Sequence, residues 1–201
     1  MNMSRNLIVT EYISLDGVIE DPVGMEGSGL GDWTGPFERG PDGDRFKIGE
    51  LFDSSAVLLG RATYDAFAGV WPHVKDDTGF AERINSMPKF VVSNSLERAE
   101  WNRTTILRGD GPQQVAKLKA GEGGDILVYG SAVLVHALIE HELVDEFRLM
   151  VYPTVLGRGK RLFPAGTKLP LALERSQKLG SGIMLICYRR AGQAAEPRSA
   201  A

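Results

Sequence analysis

The sequence predicts an α/β domain built on a mainly parallel sheet with an antiparallel edge, and three observations carry that expectation. Short β-branched runs alternate with amphipathic helical segments as far as Glu140. Twice, an apolar strand ends at a glycine that opens a helix, at Leu59-Gly60-Arg61 and at Tyr129-Gly130-Ser131. The chain then finishes in consecutive strands around Gly180-Ser181-Gly182. Strand–helix alternation implies crossovers and parallel pairing, whereas consecutive strands on a tight turn pair antiparallel.

The elements follow in order. Residues 7–13 (LIVTEYI) read as a first strand. Residues 14–43 hold eight glycines, and a stretch of that length inside a compact domain is a functional loop or a disordered one. Residues 44–53 place Ile48, Leu51 and Phe52 at helical spacing. Residues 56–59 form a strand ending at Gly60, and 62–68 a helix. Residues 80–86 read as helix, 89–93 and 104–107 as strands, and 112–119 as a helix with Pro112 in its first turn. A strand over 125–129 precedes a helix over 132–140, and 144–152 is a long strand. Segments 171–179 and 183–189 form the terminal hairpin. Residues 193–201 are small and polar, so a single domain over 1–190 with a frayed tail over 191–201 is expected.

Composition excludes several classes. The chain has 201 residues, 43% of them hydrophobic and 24% charged, with a formal net charge of −3. That balance is ordinary for one globular domain and unlike a general nucleic-acid binder. Its apolar runs are strand-sized, short of the roughly 20 residues of a membrane helix. A polar N-terminus running straight into a strand predicts no signal peptide, hence a cytoplasmic protein. The single cysteine, Cys187, rules out an internal disulfide and a cysteine-cluster metal site. The three histidines lack metal-motif spacing, so no metal is expected. There is no Rossmann fingerprint, no P-loop and no nucleophile elbow.

The chemistry sits at the two strand–glycine–helix joints. Glycine lets backbone approach a ligand, and the free N–H groups of the following helix favour an anion. Two such joints at the carboxyl edge of one sheet hold opposite sides of a diphosphate. Arg61 adds a cation suited to a phosphate monoester. Either joint alone is a common structural turn.

Gly60-Arg61-x-Thr63, Val92-Ser93-Asn94 and Gly130-Ser131 occur in the order of the three NADPH-binding segments of dihydrofolate reductases. Ser14-Leu15-Asp16-Gly17-Val18-Ile19, Leu59 through Tyr64 with Trp71-Pro72, and Val144 through Phe163 resemble more specifically the reductase domain of riboflavin biosynthesis and its stand-alone relatives. The resemblance covers residues 6–190. It implies a three-layer α/β/α dihydrofolate-reductase-like fold, NADPH as cofactor and a homodimer, with 144–152 and the following loop as the candidate contact. By the same resemblance Gly60, Arg61 and Thr63 meet the cofactor phosphates, and Gly130 and Ser131 approach the diphosphate from the other side across a cis peptide. Ser93 and Asn94 lie under the adenosine ribose, where Asn94 leaves the choice between NADPH and NADH open. Ile19 and the backbone at Thr10 and Glu11 frame the nicotinamide, and 14–43 is the mobile loop that closes over it.

The proton source is the open question. Asp44 lies sixteen positions before Gly60, the interval found in bacterial dihydrofolate reductases, and its spacing to Ile48 and Leu51 places it on the inward face of its helix. It either protonates the substrate or caps the helix. Asp16 either starts the mobile loop or makes a turn. Trp33 and Trp71 line a pocket or fill the core. The loop 157–161 meets a substrate phosphate or lies on the surface at a subunit contact. Three functions remain: a reductase acting like 5-amino-6-(5-phosphoribosylamino)uracil reductase, a dihydrofolate reductase, or a non-catalytic dinucleotide-binding module. The zinc deaminase signature that accompanies the bifunctional riboflavin enzyme is missing from the chain.

Overall fold

A computed structural model describes residues 4–192. In chain order the elements are β1 (Leu7–Ser14), α1 (Gly40–Asp53), β2 (Ala56–Gly60), α2 (Arg61–Val70), α3 (Phe80–Ser86), β3 (Lys89–Val92), β4 (Thr104–Leu107), α4 (Gly111–Ala120), β5 (Ile126–Val128), α5 (Ala132–Glu140), β6 (Glu146–Tyr152), β7 (Leu171–Lys178) and β8 (Met184–Arg190). The sheet runs β4-β3-β2-β5-β1-β6-β8-β7. Pairing is parallel from β4 to β6 and antiparallel through β8 and β7, as the strand pattern predicts.

Alternate side chains of a strand point to opposite faces, and β1 feeds both. Leu7, Val9 and Ile13 pack with Val115 of α4 and with Leu134, Val135 and Leu138 of α5. Ile8 packs on the other face with Leu51 of α1, Tyr64 of α2 and Ile84 of α3. The three α/β/α layers follow from that alternation. No helix among the described residues is long and apolar enough to cross a membrane.

The differences from expectation have local causes. Helix α1 starts at Gly40 rather than at 44, because Pro41 in its first turn is pre-set for helix. Strand β6 begins at Glu146 and lies between β1 and β8, buried along nearly its whole length. Of the two segments expected at a dimer contact, only the following loop therefore offers exposed apolar surface, at Val155 beside Leu15. The expected tail lies outside the described residues from 193 on.

The glycine-rich segment is tied down at its start. Val18 bridges Arg161, Ile19 N–H donates to Lys160 O (3.0 Å), and Leu162 N–H donates to Gly17 O (2.9 Å). Gly159 makes this latch possible, since a Cβ there would stand 2.6 Å from Val18 Cγ1. Asp16 accepts the N–H groups of Leu156 (3.1 Å) and Gly157 (2.9 Å) and the Ser14 hydroxyl (2.7 Å). The Ser14 hydrogen bond foremost, then those amides, holds its carboxyl at about 2. Asp16 is a turn brace. The loop 157–161 is likewise a strap across the glycine-rich segment, with Arg158 donating to Gly29 O (3.0 Å).

Candidate active site

A cleft opens where β1 parts from β5. Their ladder ends at Val9↔Val128, while β1 continues beside β6 to Ser14↔Tyr152. Beyond Val128 the chain leans towards β2 instead: Tyr129 N–H donates to Leu58 O (3.3 Å), and Gly60 N–H to Gly130 O (3.0 Å). Thr10, Glu11 and Tyr12 are thereby left facing a cavity of about 650 Å³, closed by the glycine-rich segment, α1, α2 and the 129–133 turn. Its position at the carboxyl ends of parallel strands is the usual place for a ligand in such sheets.

The two glycine joints meet at the rim of this cleft. A Cβ on Gly60 would stand 2.8 Å from Ser131 N and closer still to Ser131 Oγ. Neither α2 nor α5 has a side-chain cap at its N-terminus, so backbone N–H groups of both helices remain available. The Gly130–Ser131 peptide is cis. Thr63 Oγ1 lies beside this junction and donates to the Glu26 carboxylate (3.2 Å). Asp21, buried and at φ 50°, holds Glu26 there by accepting the N–H groups of Glu26 (2.8 Å) and Ser28 (3.0 Å). Burial pushes the Glu26 carboxyl above its ordinary value. An anionic side chain thus already rests beside the joint where a diphosphate is expected.

The remaining residues expected at a cofactor are placed unevenly. Ile19 is buried and lines the cavity, as do Thr63, Gly130 and Ser131. Arg61 is the first residue of α2, half-exposed and paired with Asp65 one turn on (2.7 Å). Ser93 and Asn94 follow β3 at the same sheet edge, where Val92 is the register partner of Gly60. Their side chains are engaged locally: Ser93 Oγ accepts Leu96 N–H (3.0 Å), and Asn94 exchanges hydrogen bonds with Gly109 (2.6 and 3.2 Å). Trp71 lines the cavity, whereas Trp33 is core, donating Nε1–H to Glu20 O (3.0 Å) and meeting Tyr152 edge-on.

The inward placement expected of Asp44 is corrected. Its side chain is 55% exposed at the cavity mouth and paired with Arg39 (2.9 Å). It does not cap α1 either, whose N-cap is Arg39. The buried face of α1 is Gly43, Lys47, Glu50 and Leu51. Phe52, which helped to phase the apolar pattern, instead turns outward over Arg83.

Two buried carboxyl groups line the cavity: Asp21, which is taken up by the Glu26 and Ser28 amides, and Glu11 of β1, only 9% exposed. The Gly130 backbone amide approaches the Glu11 carboxyl, but Oε1 completes no hydrogen bond within the chain. Burial foremost pushes the carboxyl up to about 8, opposed by the Lys47 ammonium and reinforced by Glu26 and Glu50. Lys47 is itself saturated: it pairs with Glu50, donates to Thr10 Oγ1 (2.9 Å), and lies 5.2 Å and 5.0 Å from the ring centroids of Tyr12 and Tyr129. Arg148 lies behind Glu50 (3.7 Å), so the floor of the cleft is a buried ionic network. The resemblance implied a role only for the Glu11 backbone, since its side chain sits in an otherwise apolar strand. That was the available signal, since a central parallel strand is buried on both faces and a carboxylate there needs a reason.

The RibD C-terminal domain model matches residues 5–185. The chain belongs to the RibD C-terminal domain family. It is 30% identical over 188 residues to the uncharacterised protein YyaP of Bacillus subtilis, covering 92% of this chain and 94% of that one. Among solved structures, a Shewanella sp. PV-4 protein provisionally assigned to riboflavin biosynthesis superposes with a TM-score of 0.72 at 22% identity, over 92% of this chain and 98% of that one. Dihydrofolate reductase from Enterococcus faecalis, solved with NADP(H), superposes with a TM-score of 0.53 at 16% identity, over 92% and 96%. The RibD C-terminal domain here therefore has the dihydrofolate-reductase-like fold, with the glycine joints at its sheet edge and Glu11 in its cleft.

Proposed function

We propose that the protein is an NADPH-dependent reductase of the riboflavin type, in which Glu11 rather than Asp44 supplies the proton. The observation that carries this reading is the meeting of two uncapped helix N-termini at Gly60 and Ser131, over a cavity that holds a buried carboxyl. Gly60, Thr63, Gly130 and Ser131 would hold the cofactor diphosphate, Arg61 a terminal phosphate, and Ile19 the nicotinamide end. When bound, NADPH supplies a hydride for a carbon–nitrogen double bond. The chain then has to exclude water and deliver a proton to the nitrogen. A carboxyl at about 8 is mostly protonated at neutral pH and suits that task.

Binding of NADPH and NADH, followed by nicotinamide fluorescence, tests the cofactor half of the proposal. Arg61→Ala should weaken NADPH by roughly tenfold or more and leave NADH nearly unchanged, since only the former offers the extra phosphate. Equal losses would remove Arg61 from that role. Glu26→Ala should act in the opposite direction, tightening both cofactors about tenfold by clearing the carboxylate from Thr63. Weaker binding in that variant would mean that Glu26 supports the cofactor instead of standing in its place.

A further inference from the structure

A second cavity, of about 420 Å³, is walled by α1 and by β6, β8 and β7. Register across those strands puts Arg148, Cys187 and Arg175 in one row, and Glu146 beside Arg189 in the next. Residues in register share a face, and both rows line the cavity. A bulge in β7 between Leu173 and Arg175 drops Glu174 out of the ladder, so that Glu174 and Arg175 both reach the cavity wall.

Glu50 of α1 stands between this cavity and the cleft. Its Oε1 accepts the Thr10 hydroxyl (2.9 Å) and pairs with Lys47, and those two residues line the cleft. Glu50 itself lines the second cavity, with its side chain wholly buried. Its Oε2 has no hydrogen-bond partner. Arg148 Nη1 is 3.7 Å away, beyond hydrogen-bond reach. A buried carboxylate oxygen is seldom left so, which points to a donor from outside the chain.

The rest of the lining narrows that donor. Among the described residues no group of three or more His, Cys, Asp or Glu is placed to hold a metal ion, which favours an organic N–H. Arg45 is committed to Asp42 (2.8 Å), Arg148 to Glu146 (2.7 Å), and Arg189 leans on Glu146 (3.5 Å). Arg175 differs. It donates to the neutral Gln177 amide oxygen (2.5 Å) and lies 5.4 Å from the Phe46 ring centroid. A guanidinium held by neutral groups keeps its attraction for an anion. The exposed carboxylates Asp53 and Glu174 at the same cavity favour one negative charge there over the two of a phosphate. An amine alone would leave Arg175 unmatched, and an anion alone would leave Glu50 so.

We infer that this second cavity binds a small zwitterion, with its ammonium on Glu50 Oε2 and its carboxylate on Arg175. The site is separate from the proposed reductase site and does not rest on it.

β-Alanine, γ-aminobutyrate and 5-aminopentanoate are suitable probes, because they set the two charges progressively farther apart. Butylamine and butyrate are the two halves of the middle one. Binding of each to the full chain is to be measured by calorimetry at neutral pH, with NADPH titrated separately. At least one zwitterion should saturate the protein, and each half should bind at least roughly tenfold more weakly than the best of the three. Glu50→Gln should cost that zwitterion roughly 10- to 100-fold. Arg175→Gln should cost it about tenfold, and its exposed position makes normal folding the expectation, so it carries the test should Glu50→Gln fail to fold. Glu11→Gln, in the cleft, should change binding by less than about twofold. No saturable binding by any of the three, meaning a cavity that holds only solvent, would overturn the inference. So would butylamine or butyrate binding as tightly as the zwitterion, or a loss that follows Glu11→Gln in place of Arg175→Gln, which would seat the probe in the cleft.

Discussion

Glu11→Gln should stabilise the protein above about pH 8 while removing most of its turnover. The two effects have one cause. In the unfolded chain the carboxyl titrates near 4.5, and burial raises it to about 8 in the folded one. Between those values the folded chain holds a proton that the unfolded chain has released, so stability falls as pH rises. The contribution is fully present below about 4.5 and lost as pH passes the folded value. A displacement of that size is worth on the order of 5 kcal/mol. Glutamine carries no titrating proton, so the variant escapes the penalty. Urea midpoints should differ little between wild type and Glu11→Gln at pH 4.5, and should favour the variant clearly at pH 8.5. Equal destabilisation of the variant at both pH values would contradict the cost assigned to the ionised group.

Turnover should respond in the other sense. A positioned general acid is worth roughly 10²- to 10⁴-fold, so the rate should fall by that order. The wild-type profile should lose activity above about pH 8, as Glu11 ionises, and the variant should lack that limb. Asp44→Asn should keep it, because Asp44 sits at the exposed mouth with Arg39. A limb that moves in Asp44→Asn and stays in Glu11→Gln would return the proton to Asp44.

Gly60→Ala should abolish tight dinucleotide binding. Gly60 has φ −77° and ψ 165°, a conformation that alanine adopts freely, so the cost is steric rather than conformational. The new methyl would stand 2.8 Å from Ser131 N, forcing apart the two turns proposed to frame the diphosphate. Such overpacking costs about 1–3 kcal/mol of stability. The loss of cofactor affinity should be larger, roughly 100-fold, because both helix N-termini are displaced from a common ligand. Adding Ser131→Gly removes the nearest atom, Oγ, but leaves the backbone nitrogen in place, so the double variant should recover only part of the affinity. Gly69→Ala is the matching control: it lies in the same helix with open space around it and should be neutral or slightly stabilising. Unchanged NADPH affinity in Gly60→Ala would dissolve the shared cradle.

These two predictions differ in how far the primary structure anticipates them. Gly60 and Gly130 were legible because a glycine between an apolar strand and a helix is a local pattern, set by backbone conformation over a few residues. The strands were legible for the same reason, as were the terminal hairpin and the helices, whose ends moved by a few residues at most. The meeting of the two turns is different in kind, because it needs β2 and β5 as neighbours, a pairing that only the folded sheet supplies.

The proposed acid was not legible in that way. Apolar spacing in α1 assigned an inward face through Ile48, Leu51 and Phe52, yet Phe52 is half-exposed while Lys47 and Glu50 are buried. Charged residues occupy the inner face because they satisfy one another, with Thr10 and Arg148 contributing from strands about 40 residues before and 100 after. Glu11 is buried because β5 leaves β1 after Val128 and the glycine-rich segment folds across the gap. Local backbone preference is written in neighbouring residues, and so the scaffold and its glycine joints follow from the chain alone. Burial of a charge depends on what distant segments bring against it, and so the choice of Glu11 over Asp44 emerged from packing.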